Sequence, residues 1–135
     1  MKRQKQNKSA RLFLLDMRSR IDVLEEAFRS SQEVRNVIIT SYDENRSSRT
    51  PQDNTNFSVN LPLEFDIYMV HLPFTTQTAI SKLREDKPSA FIWVNSMEGP
   101  WRLDEKLKSS ADGFYSAASP DYQVRKVMDA WRGRK

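Results

Sequence analysis

His71 is the chain's one histidine, and its type alone nominates it for proton transfer. A general base needs an orienting or reacting partner, however, and the neighbouring sequence names none. Zinc would have to rely on carboxylates, because cysteine is absent and no second histidine exists. Glu64 and Asp66 flank Phe65, an alternation that would put two carboxylates on one strand face and could hold Mg²⁺ in a small nuclease. The lysine and second acid such a site needs are not at strand spacing, since Glu85-Asp86-Lys87 and Asp104-Glu105-Lys106 fall in helical or terminal contexts. Asp43-Glu44-Asn45-Arg46-Ser47 begins like a calcium loop, but Ser48 stands where the sharp turn needs glycine and Asn54 where a bidentate glutamate belongs. Three glycines in 135 residues leave no phosphate-cradling loop. No catalytic residue, metal or cofactor is therefore assigned, and a binding role is favoured over enzymatic activity.

Binding chemistry is better represented. Residues 1 to 20 carry Lys2, Arg3, Lys5, Lys8, Arg11, Arg18 and Arg20 against Asp16 alone, within a chain of net charge +4. The far end adds Arg125, Lys126, Arg132, Arg134 and Lys135 against Asp121 and Asp129. Positive charge at both ends can neutralise phosphates by counterion release, which requires no preformed pocket. Candidate nucleic-acid contacts are Lys2, Arg3, Lys5, Lys8, Arg11, Arg125, Lys126, Arg132 and Arg134. Arg46 and Arg49 join them from a polar central loop.

The elements that must position these residues follow from periodicity. Residues 1 to 8 lack apolar spacing and read as a mobile basic arm, followed by a single domain over residues 9 to 135. From a Ser9 cap, Leu14, Met17, Ile21, Leu24 and Phe28 recur at helical spacing, predicting an N-terminal helix. Arg35 to Tyr42 is rich in β-branched residues and predicts a strand. Asp43 to Asn56 has no apolar anchor and predicts an exposed, protease-sensitive loop. Apolar residues then occupy odd positions from Phe57 to Met69, which predicts a strand interrupted at Pro62. A helix capped by Thr75 or Thr76 should run through Ala79, Ile80 and Leu83 until Pro88. Ala90 to Val94 is apolar on both faces, as expected of a central strand, and Asp104 could cap a short helix containing Leu107. Ser119-Pro120-Asp121 should start a final helix bearing Val124, Val127, Met128 and Trp131.

These elements predict an α+β fold, with helices at both ends packed on a mostly antiparallel sheet. The stretch Ile38-Ile39, Ser41, Asp43, Asn45, Pro51, Asn56, Phe57, Val59 and Leu61-Pro62 resembles a strand-loop-strand pattern in structural proteins of large DNA viruses. That resemblance implies viral or phage origin and transfers no site. The leading expectation is thus a non-enzymatic nucleic-acid-binding protein. A viral assembly protein acting through protein contacts or self-association is the alternative, and a metal-dependent nuclease is third. No apolar run approaches the roughly 18 residues that span a bilayer, so the expected location is intracellular or in a virion, with no membrane partner.

Overall fold

The structure is a computed structural model that describes residues 10–30, 37–43, 57, 59–72, 74–96, 109–115 and 120–133. Chain order is strand β1 (Ala10–Leu15), helix α1 (Arg18–Ser30), β2 (Val37–Tyr42), β3 (Ile67–Leu72), α2 (Gln77–Asp86), β4 (Phe91–Ser96), β5 (Gly113–Tyr115) and α3 (Pro120–Gly133). The strands form one sheet in the order β2-β1-β3-β4-β5. All four pairings are parallel, with Ala10 opposite Val37, Leu12 opposite Ile67, Ile67 opposite Phe91 and Trp93 opposite Gly113.

Each face of the sheet buries its own core. Phe13, Leu15, Tyr68, Val70, Ile92 and Val94 pack against Ala79, Ile80 and Leu83 of α2 on one side. Leu12, Leu14, Ile67, Met69, Phe91 and Trp93 pack against α1 and α3 on the other. Burial on both faces explains why β1, β3 and β4 are nearly uninterrupted apolar runs. The helices follow familiar local rules. Thr76 caps α2 by accepting the Ala79 N–H, and Pro120 opens α3 where its missing N–H costs nothing.

The antiparallel α+β expectation is overturned: this is a doubly wound α/β sheet. Two misassigned segments account for the difference. Residues 10–15 are a strand rather than the start of a helix, because Leu12, Phe13, Leu14 and Leu15 are all buried and a helix shows only one stripe. Ile21, Leu24 and Phe28 do belong to a helix, so the true stripe of α1 extends by coincidence back through Met17 to Leu14. The odd-position alternation after Phe57 likewise becomes a strand only at Ile67. Before that point Phe57, Leu61 and Phe65 are buried while Val59 and Leu63 are exposed, so every fourth residue anchors an irregular segment over the β1–β3 face. With β1 missed and a long strand inserted, the alternation of strand and helix that signals a parallel sheet was lost. The arm 1–8, the loop tip 44–56 and the Asp104 helix lie outside the described residues.

Candidate functional site

Parallel strands bring all their carboxyl ends to one side of the sheet, and in open α/β sheets ligands gather there, where strand order reverses. The reversal in this chain lies between β1 and β3. Three strands repeat one pattern at that edge: Leu12-x-Leu14-x-Asp16, Ile67-x-Met69-x-His71 and Phe91-x-Trp93-x-Asn95. Alternation puts each polar residue on the α1/α3 face, directly after two core residues. Register completes the row, with Leu14 beside Met69 and His71 beside Asn95. Asp16, His71 and Asn95 are all buried.

Asp16 is wholly inaccessible. The Arg20 Nε–H is shared between its two carboxylate oxygens at 3.0 and 3.1 Å, and the Met17 N–H donates to Oδ1 at 2.7 Å. Arg20 reaches it because Asp16 stands just ahead of α1, four residues before the arginine in its first turn. The position also places a carboxylate at the positive end of the α1 dipole. His71 Nδ1 lies 3.7 Å from Asp16 Oδ1, beyond hydrogen-bond reach, and has no bonding partner. That contact would be ionic only with a charged imidazole. Burial, the dominant influence, lowers the His71 pKa from 6.5; Arg20 acts the same way and Asp16 opposes, so the ring is neutral. Phe74 covers it at 5.2 Å between ring centres.

Asn95 leaves both carboxamide atoms buried and unpaired. So does Gln123, in the first turn of α3. Trp131 packs edge-on against Phe91, near the start of β4, so α3 runs antiparallel to the strand. Eight helical residues from Trp131 back to Gln123 span roughly 12 Å. Four strand residues from Phe91 to Asn95 span roughly 13 Å. Gln123, at the other end of α3, therefore lies toward the carboxyl end of the sheet. Buried neutral polar side chains and one ion pair thus stand at this end of the sheet where core residues would otherwise continue.

Of these, sequence reasoning singled out only His71. Asp16 was hidden by its assignment to a helix surface, and Asn95 and Gln123 were passed over. The threefold repeat of two alternate apolar residues followed by a polar one was the available signal. The Glu64/Asp66 pair does not form a site, since Asp66 precedes β3 and accepts the Arg11 N–H at 2.9 Å at the opposite edge. Among the described residues no group of three or more His, Asp or Glu side chains is placed to hold a metal.

The proposed nucleic-acid contacts are dispersed over different elements. Arg11 is in β1, with its guanidinium 5.1 Å from the centre of the Phe65 ring. Arg125, Lys126 and Arg132 share the outer side of α3, where Lys126 covers Tyr122 and Arg132 pairs with Asp129 at 3.0 Å. Lys2, Arg3, Lys5, Lys8, Arg46, Arg49 and Arg134 lie outside the described residues.

No family model and no curated protein matches the sequence. Solved structures do match. HP1043, an orphan response regulator of H. pylori, superposes with a TM-score of 0.65 at 15% identity, covering 90% of this chain and 96% of that one. The BeF3-activated DrrB receiver domain gives 0.65 at 8% identity, over 92% of this chain and 98% of the other. The fold is that of response-regulator receiver domains. An atypical orphan response regulator, described as revealing a phosphorylation-independent regulatory mechanism, gives 0.64 at 15% identity over 91% and 96%. Viral structural proteins are not what the chain resembles, so the pattern at residues 38–62 was misleading: Ile38–Tyr42 is a parallel edge strand and Leu61-Pro62 is not in a strand. The viral nucleic-acid-binding and assembly readings are withdrawn with it. A host-cell or virion location loses its basis too, and among the described residues no helix is long and apolar enough to cross a membrane.

Proposed function

We propose that this chain is a receiver-like signalling module that acts on a protein partner without being phosphorylated at its carboxyl edge. The burial of Asp16 under Arg20 carries the second half of that reading. A carboxylate that accepts a phosphoryl group must offer a free oxygen lone pair to an incoming donor. Asp16 is inaccessible and already accepts from Arg20 and Met17. Asp43, the described carboxylate after β2, is engaged by Arg18 at 3.3 Å. In the row itself, the positions beside Asp16 are a histidine and an asparagine. The likeness to receiver domains supports the signalling half, and the atypical neighbour, whose regulation is described as phosphorylation-independent, supports the mode.

Incubation with acetyl phosphate and Mg²⁺, followed by intact-mass measurement, tests the mode directly. Unchanged mass is expected, together with amide spectra that do not move when beryllofluoride is added. A phosphoryl adduct on an aspartate, or beryllofluoride shifts clustered at the ends of β1 and β3, would overturn it.

A further inference from the structure

We propose that His71, Asp16 and Arg20 form a proton-operated exchange, in which a proton arriving on His71 Nδ1 draws Asp16 away from Arg20 and releases the arginine to solvent. This names the regulation of the site above; its purpose rests on the signalling reading, whereas its chemistry does not.

The geometry already holds both partners of the exchange. Asp16 Oδ1 lies 3.0 Å from Arg20 Nε and 3.7 Å from His71 Nδ1, so a displacement of less than an ångström brings Oδ1 within hydrogen-bond reach of the ring, and release of Arg20 is complete once Oδ2, at 3.1 Å from the same Nε, has turned away as well. His71 is faced by Asp16 at the end of β1, Arg20 from α1, neutral Asn95 beside it on β4 and the Phe74 ring; Gln123, buried in the first turn of α3, is neutral as well. Neutral imidazole leaves one anion matched by one cation. A protonated ring leaves two cations on one carboxylate in a dry layer, where an unmatched charge is costly.

The cation that can recover water leaves. Arg20's side chain is 21% exposed and that of His71 4%. Arg20 also sits in the first turn of α1, where the helix dipole disfavours positive charge. Asp16 remains anchored by the Met17 N–H while both of its contacts with Arg20 give way to one with His71. The state of the ring is thereby expressed as the position of a guanidinium at the start of α1.

A pH titration of the intact chain, following the His71 ring and the Arg20 Nε–Hε by NMR, tests the exchange. The Arg20 signal should move with the same midpoint as His71, below the usual 6.5. R20Q should raise that midpoint by removing a cation, and D16N should lower it. H71Q should abolish the pH response of Arg20, which keeps the test decisive if D16N does not fold. An Arg20 signal that stays fixed while His71 titrates, or a His71 midpoint unmoved in R20Q, would overturn the exchange. Uptake of a phosphoryl group would defeat the proposed function and leave this titration standing.

Discussion

The two edges of the sheet solve the same problem in opposite ways. At the amino edge polar groups are saturated. Arg84, from the last turns of α2, donates to the carbonyls of Ser110, Pro88 and Ala90 and to Asp112, at 2.8 to 2.9 Å. Asp112 in turn accepts the Ile92 N–H, and Asp66 accepts that of Arg11. At the carboxyl edge His71, Asn95 and Gln123 hold five unpaired atoms among them. Unmatched buried polar groups cost stability, so their concentration at the edge where ligands gather marks a region shaped by function rather than by folding. One edge fixes the sheet, and the other keeps alternatives open.

Breaking the saturated edge should produce the largest effect. Arg84→Ala strands three carbonyls and a carboxylate, and should destabilise the fold by about 3 kcal/mol in urea denaturation. A loss below about 1 kcal/mol would remove the distinction between the edges. Gly113→Ala probes the strand pairing beside it. A Cβ there would stand 2.2 Å from the Trp93 ring, which is itself buried and stacked on Phe91. Displacing that ring should cost about 2 kcal/mol, read as a lower Tm.

Substitution at the unsaturated edge should have the opposite sign. Gln123→Leu keeps the volume and removes two unmatched atoms, so stability should rise by about 1 kcal/mol. A clear loss would mean that the carboxamide is engaged in the working state. The smallest effect is a slope. Because the folded pKa of His71 is lowered, the unfolded chain binds the extra proton first as the pH falls. Stability attributable to His71 is therefore complete above about 6.5 and declines as acid carries the pH through the lower folded value. H71Q should flatten that part of the stability profile, as measured by denaturation at successive pH values.

How much of this was readable from the sequence depended on whether a segment carried an unambiguous period or cap. The end of the chain did: Pro120 and the Val124, Val127, Met128 stripe placed α3, and Thr76 with Ala79, Ile80 and Leu83 placed α2. β2 and β4 were found within two residues of their ends. Arg11 to Leu15 was not legible, because a short run buried on both faces fits either helix or strand. Misplacing it also concealed Asp16, whose role depends on standing at the end of a strand. His71 could be seen extending the apolar face of Met69, but the partners that give it meaning come from the end of β1, from α1 and from β4. Their proximity is a product of parallel pairing, and local spacing does not encode it.

The parallel pairing has a kinetic consequence. None of the four neighbouring strand pairs is joined by a tight hairpin; each must wait for a crossing segment to return the chain in the same direction. β1 is the extreme case, since its bond partner Asp66 is 55 residues further along. During synthesis β1 would emerge with only its β2 side paired, and assembly of the central sheet would have to close a long loop before any reward from it. Contacts of such sequence separation slow folding more than they alter final stability. The same wait means that Asp16 and Arg20 are neighbours from the first turn of α1, long before His71 exists to compete for the carboxylate.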